Sequence, residues 1–216
     1  GVSTASNIPD FRGKNGIYNT ENEWGLPPEI IISHTFFTRR TKDFYDYYKK
    51  YMVYPSAVPN AVHIALARLE KEGKIKAVLT QNIDGLHQAA GSKNVYELHG
   101  SVHRNYCTRC GKFYDLEYIL GAKGVPTCEC GGVIKPDVVL YEEPLDDDVW
   151  QGAWEEVRRA DTLIVGGSSL TVYPAAGLVD MFYGKNLCII NATPTPFDRR
   201  ATYLSHESLT REFENL

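Results

Sequence analysis

The sequence lacks a dominant charge, a disulfide-scale supply of cysteine and any long apolar run. Its 216 residues carry 23 Lys and Arg against 27 Asp and Glu, a net charge of −4. That balance gives no general electrostatic pull toward nucleic acid or anionic lipid, so no direct nucleic-acid binding is expected. Nowhere do about 18 apolar residues run together, as a bilayer-spanning helix would need. Five cysteines are too few and too unevenly placed for a secreted disulfide scaffold. No internal repeat or low-complexity tract is present, and the first residues given do not read as a signal peptide with charged and apolar regions. Residue 1 is Gly rather than Met, and GVSTASNIPDFRG is loop chemistry with no strand before it. The start of the natural chain is therefore expected to be missing. At 43% hydrophobic and 23% charged residues, the rest has ordinary globular composition, which excludes a disordered or fibrous protein.

From residue 60 onward helix and strand patterns alternate. Asn60 suits a helix N-cap, Val62, Ala65, Leu66 and Leu69 share one face, and Gly73 suits the C-terminal end. IKAVLTQNI (75–83) reads as a buried strand, DGLHQAAG as a short helix and NVYELHG (94–100) as a strand. A helix is predicted from the acids at 146–148 through Ala160, a strand over 162–167, a helix from Pro174 to Tyr183 and a strand over 187–192. Apolar strands alternating with helices imply a parallel sheet covered on both faces. Two segments interrupt the alternation: an aromatic-rich, helical stretch within 14–59, and a cysteine- and glycine-rich stretch over 101–145.

Cys107-x-x-Cys110 and Cys128-x-Cys130 are separated by 17 residues. Two close pairs across such a loop place four thiolates around a tetrahedral zinc, and four cysteines close the site, which marks a structural metal. Paired disulfides or free thiols are the alternative. The fifth, Cys188, sits in the apolar run LCIIN and reads as an inert core thiol. QNIDGLH (81–87) follows a predicted strand, where open α/β sheets bind ligands. Asn82 and Asp84 suit a carboxamide or sugar hydroxyls there, or Asp84 simply caps the next helix through an Asx turn. His99, ending the next strand, is a general base near neutral pH or a hydrogen-bonded core histidine. His34, His63, His87, His103 and His206 lack that context or read as helix or loop surface, with His103 a possible neighbour of the zinc module. GGSSLTVYPAAGL (166–178) allows close backbone approach to phosphate or ribose, and Asn191 follows a strand as a ribose ligand or a turn residue.

Taken in order, STAS-IPDFRG (3–13), TQNIDGLH (80–87), ELHG (97–100), the four cysteines, KPDVVLYEE (135–143), GGSSLTVYPA (166–175) and IINATPTP (189–196) resemble a bacterial-type sirtuin along essentially the whole chain. The resemblance implies an α/β fold: a Rossmann-like, doubly wound parallel sheet with a smaller inserted zinc-ribbon and helical module. Residues 1–13, 60–100 and 146–216 would form the NAD-binding domain, 14–59 the helical insertion and 101–145 the zinc-binding insertion. The implied function is NAD-dependent protein-lysine deacetylation, with the acetyl group passing to ADP-ribose and nicotinamide released. NAD would be a co-substrate, one structural zinc per chain the metal, and acetylated lysine-containing proteins or peptides the partners, in the cytoplasm.

By the same resemblance His99 is the catalytic base, with Asn82 beside it. Thr4, Phe11 and Arg12 match the cofactor loop, and Gln81, Ile83 and Asp84 the surroundings of nicotinamide and its ribose. Ser168 and Ser169 match phosphate and ribose contacts, Asn191 the adenosine ribose contact, and Ser208 and Leu209 the adenine side. Val138, Val139 and Tyr141 match the strand that pairs with the substrate peptide. Asn7 and Tyr141-Glu142 stand where the family has Gly and Phe-Gly, which is expected to restrict the loop and alter the polarity of the acyl-lysine tunnel. Relatives that prefer succinyl groups carry Tyr-x-x-Arg, whereas here Tyr45 is followed by Tyr48, so a neutral acyl group is expected. The alternatives are protein ADP-ribosylation at the same NAD site, a non-enzymatic zinc-ribbon binding module, and thiol chemistry at Cys188.

Overall fold

The computed structural model describes residues 1–11, 13, 16–19 and 22–213. After a 3-10 turn at Val2–Ser6, the chain forms α1 (Pro28–Ile31), α2 (His34–Arg39), α3 (Thr41–Tyr51) and α4 (Ala61–Lys71). Then follow β1 (Val78–Thr80), α5 (Leu86–Ala90), β2 (Val95–Glu97), β3 (Gly100–Cys107), β4 (Phe113–Tyr114), α6 (Leu116–Gly121) and β5 (Ile134–Val138). The C-terminal third contains α7 (Asp147–Arg159), β6 (Thr162–Gly166), β7 (Asn186–Ile190), β8 (Tyr203–Ser205) and α8 (Leu209–Phe213).

The parallel pairing is present in two pieces: β1 beside β2, and β6-β7-β8. β1 and β6 line the same large cleft between these pieces. The strand expected over 75–83 shortens because the amides of Lys74 and Ile75 are drawn back to the Leu69 carbonyl, which closes α4 behind Gly73. At its other end, Gln81 to Ile83 leave the ladder and enter the cleft. Asn60 caps α4 by accepting the Val62 amide, and His63 Nδ1 accepts the Asn60 amide in return.

One sequence expectation changes here. The helix predicted from Pro174 to Tyr183 is only a 3-10 turn over Ala175–Leu178, followed by turns. Gly177 weakens a helix by about 1 kcal/mol relative to Ala. Ala175, Ala176, Leu178, Val179 and Phe182 instead bury themselves on the second core, a spread that a curled segment supplies. The aromatic stretch is helical as expected, in two helices, α2 and α3, parted at Arg40, whose φ of −133° is not helical.

The side-chain cores separate by region. One joins residues 17–53 to residues 102–140 and is rich in aromatics, with Phe44, Tyr45, Tyr47 and Tyr48 at most 1% exposed. Phe37, Phe44 and Tyr45 meet edge to face within it. A second is largely aliphatic and packs α7 and the 175–182 segment on β6 and β7, and a third, smaller one joins Val62 and Ala65 of α4 to Ile190 and Phe213. Residues of the first two cores line a cleft of about 1760 Å³.

Candidate active site

The ends of β1, β2, β5 and β6 deliver one group of side chains to this cleft. Its walls hold Thr4 and Phe11 from the first loop, Gln81, Asn82 and Ile83 after β1, and His99 after β2. Val138, Val139 and Tyr141 come from β5 and the residues after it; Ser168 and Ser169 follow β6; Asn191, Ser208 and Leu209 close the far end. Of the sequence-predicted set, Asp84 lies instead in an adjoining cavity of about 180 Å³, which shares Asn82, Ile83 and Phe11 with the cleft. Arg12 lies outside the described residues.

His99 Nδ1 lies 3.2 Å from the Gln81 carbonyl oxygen. A carbonyl only accepts, so Nδ1 carries the hydrogen and Nε2 of the neutral ring keeps its lone pair. Burial holds the His99 pKa below the ordinary histidine value of 6.5, against the Gln81 bond, which raises it. His99 is thus a neutral acceptor at pH 7 on the cleft wall. Its backbone carbonyl accepts the Val139 amide at 3.0 Å, which ties the main chain at His99 to the 138–141 segment.

Asp84 has both of its sequence-predicted roles open in the geometry. Oδ1 accepts the Leu86 amide at 2.9 Å, the Asx turn that starts α5, while Oδ2 accepts the Ser3 hydroxyl at 2.6 Å. Ser3 Oγ in turn accepts from Asn82 Nδ2 at 2.9 Å. This Asn82–Ser3–Asp84 relay locks the first loop onto the residues after β1. Ser3 is 5% exposed and was missed in the sequence; it lies in the same STAS run as Thr4, but no spacing rule ties residue 3 to residue 84.

At the other end, the backbones of Gly1 and Gly167 touch: a Cβ on Gly167, at φ +60°, would sit 2.8 Å from the Gly1 Cα. Two glycines in contact beside a 3-10 turn leave bare backbone on the cleft wall, which suits a phosphate. Ser168 Oγ accepts the Leu170 amide, and Gln81 Nε2 lies 3.5 Å from it. Ser169 pairs with the Thr171 hydroxyl. Asn191 binds the Thr193 carbonyl through Nδ2, and its own carbonyl faces His206 Nδ1. Ser208 accepts the Arg211 amide in α8, and Leu209 packs on Gly166 and Gly167.

The positions where the resemblance expects glycine keep the backbone glycine would have. Asn7 has φ 61° and Glu142 φ 76°. Asparagine tolerates that region through its short polar side chain; the Glu142 carboxylate accepts the Thr35 amide at the start of α2. Tyr141 directs its hydroxyl to that of Tyr18 at 2.7 Å. Tyr45 and Tyr48 are buried in the aromatic core, with the Tyr45 hydroxyl donating to the Ile134 carbonyl, so neither lines the cleft.

Cys107, Cys110, Cys128 and Cys130 bring their Sγ atoms within 4.8 Å of one another. The shorter pairs measure 3.4, 3.5 and 3.6 Å. A tetrahedron with zinc–sulfur bonds of about 2.3 Å has edges of about 3.8 Å. The four free thiols therefore fit a zinc ion, and a full sulfur set leaves no position for a substrate. The Cys107 and Cys128 carbonyls accept the Gly111 and Gly131 amides, so each pair sits on its own tight turn.

Other residues depart from their sequence reading. His63 and His87 are buried rather than on a surface, with ring centroids 4.7 Å apart, and burial holds the His63 pKa down to about 4. His103 lies away from the cysteines, with Nε2 3.0 Å from the Asp84 carbonyl. Cys188 is half-buried rather than in the core, and its thiol pKa is raised by burial, the direction of an unreactive thiol.

The Sir2 family profile matches residues 1–174. An NAD-dependent protein deacetylase of Clostridium acetobutylicum is 55% identical over all of this chain and 89% of its own length. One from Cutibacterium acnes is 49% identical over 97% of this chain and 86% of its own. A solved Sir2 variant with a deacetylated p53 peptide and 3′-O-acetyl-ADP-ribose superposes with a TM-score of 0.91 at 42% identity, covering 99% of this chain and 87% of its own. Sir2 with a p53 peptide and NAD+ gives 0.85 at 40% identity, covering 99% and 87%.

Proposed function

The chain belongs to the Sir2 family and is an NAD-dependent protein deacetylase; we infer that it moves the acetyl group of an acetylated lysine onto ADP-ribose at the cleft that His99 lines. The observation that carries this reading is the His99–Gln81 contact, which leaves Nε2 as a neutral base beside the 138–141 segment. NAD, when bound, supplies an electrophilic ribose carbon and nicotinamide as leaving group. Everything else falls to the protein.

The cleft fits that co-substrate. It exceeds the roughly 300–1,000 Å³ of a drug-sized pocket, as a dinucleotide plus a peptide requires. Bare backbone at Gly1 and Gly167 would face the phosphates, with the Ser168 and Ser169 hydroxyls alongside, and Asn191, Ser208 and Leu209 would receive the adenosine end. Asp84, Ile83 and Asn82 border the smaller cavity and would hold the carboxamide, with each Asp84 oxygen retaining a second acceptor site. Thr4 and Phe11 would border the reacting sugar, and Phe11 would keep water out. Val138, Val139 and Tyr141 would pair with the peptide backbone and present the acyl group near His99. Nε2 then takes a proton from a ribose hydroxyl. Its depressed pKa puts the acid limb of kcat/KM below pH 6.5.

A preference for a neutral acyl group is supported by the burial of Tyr45 and Tyr48 in the core, away from the cleft. The division into a nucleotide-binding domain (1–13, 60–100, 146–216) and two insertions is supported by the separate cores. A cytoplasmic setting is supported by the grouping of four cysteines as a metal site. No described helix is long and apolar enough to cross a membrane. Direct nucleic-acid binding is disfavoured by the net charge of −4. The solved relatives with deacetylated peptide and acetyl-ADP-ribose favour deacetylation over ADP-ribosylation of a protein. Mass spectrometry of a reaction with an acetyl-lysine peptide decides the point: O-acetyl-ADP-ribose and free lysine are expected, and an ADP-ribose mass gain on protein or peptide would contradict them.

A further inference from the structure

We propose that Arg104 is a positioning residue that clamps the turn carrying His99 to the strand that receives the substrate peptide. Arg104 sits in an irregularity of the β3–β5 ladder: Ser101 pairs with Asp137 and Asn105 with Pro136, so residues 102–104 are looped out against a single step of β5. Bulges of this kind re-aim a side chain out of the ladder. Here the guanidinium turns to two carboxylates at once. Nη1 donates to Glu97 Oε2 at 2.5 Å and Nε to Asp137 Oδ2 at 2.7 Å.

The two acids are placed to matter. Glu97 ends β2 two residues before His99, with a side chain only 8% exposed. Asp137 directly precedes Val138 and Val139. A planar fork with separate N–H groups spans both carboxylates, which a lysine ammonium, a single point of charge, does less well. Two neighbours in the same bulge dock on the opposite wall: the Val102 amide donates to the Ile83 carbonyl and His103 Nε2 meets the Asp84 carbonyl. The bulge thus touches the segments on either side of the reacting groups, and Arg104 supplies its only described ion pairs. Because Glu97 and Asp137 would repel without the cation, losing it frees the base turn from the peptide strand.

The proposal rests on the base and peptide-strand assignments above. Steady-state kinetics of R104A, R104K, D137N and R104A/D137N, each normalised to zinc-loaded folded protein, test it. R104A is expected to raise the peptide KM and lower kcat, together a roughly tenfold loss in kcat/KM, with the NAD KM within about twofold. R104K should fall between parent and R104A, and adding D137N to R104A should cost little more. An unfolded fraction lowers kcat but leaves KM alone, so the peptide KM separates positioning from stability. If R104A does not fold, R104K and D137N carry the same reading. An unchanged peptide KM, equal rises in both KM values, or additive losses in the double variant would overturn the clamp. H99A run alongside keeps the tests distinct: an active H99A overturns the base assignment, whereas an inactive H99A with a parent-like R104A overturns only the clamp.

Discussion

The zinc clasp and the co-substrate cleft are both assembled by turns at strand ends, yet they hold their polar groups in opposite ways. The clasp gathers four like atoms from residues 107–130, within 4.8 Å of one another, on two tight turns that belong to the aromatic-rich core. The cleft and its adjoining cavity draw unlike groups from residue 3 to residue 209 and hold them through hydrogen bonds across a wide space. Density suits a part whose task is to stay put. Room and long-range tethers suit a part that must admit two substrates and release three products.

The comparison breaks most readily at the clasp. C107A is expected to lose zinc and the fold of the surrounding module together, because structural zinc contributes on the order of 10 kcal/mol to such folds. Metal analysis and thermal melting check this; stoichiometric zinc with an unchanged melt would refute it. In the cavity beside the cleft, S3A removes the hydroxyl between Asn82 and Asp84 and leaves a half-buried carboxylate oxygen short of a donor. A loss of about 1.5–3 kcal/mol is expected in kcat/KM for NAD, with zinc content intact. Zinc loss in S3A would mean that the two regions are not independent.

Acid sharpens the contrast next. His63 and His87 are buried beneath the cleft with depressed pKa values. Between pH 6.5 and about 4 the unfolded chain binds protons that the folded chain refuses, so stability is present above that window and falls as the pH is lowered through it. For His63 the loss is bounded by about 3 kcal/mol. Urea midpoints against pH should show it, and H63Q should flatten the slope. The smallest effect is expected at the rim. E142G relieves a left-handed conformation costing roughly 1 kcal/mol and gives up the Thr35 contact, worth a similar amount, so stability should move by less than about 1 kcal/mol.

The same contrast explains what was legible in the sequence. Cysteine spacing, the Asn60 cap and the acids before α7 act over a few residues, so their chemistry is readable from neighbours alone. His99, Asn82 and Asp84 stand at strand ends, which the alternating pattern locates. The Ser3–Asp84 bond spans 81 residues, and Arg104 joins β2 to β5, so neither leaves a local trace. His63 carries the capping-box signature, but its burial depends on the first loop folding over α4, where Asn60 Nδ2 binds the Val2 carbonyl and the Ser6 hydroxyl. The helix expected from Pro174 failed because Gly177 and the demands of the second core outweighed its apolar content.

The central claim is that a neutral His99 Nε2, oriented by Gln81, is the base of acetyl transfer. Its most direct test is acetyl-ADP-ribose formation from NAD and an acetyl-lysine peptide by H99A, compared with the parent. A fall of about 10²–10⁴-fold in kcat, with the zinc content and melting temperature of the parent, is the expected result; turnover within a few-fold of the parent would contradict the account.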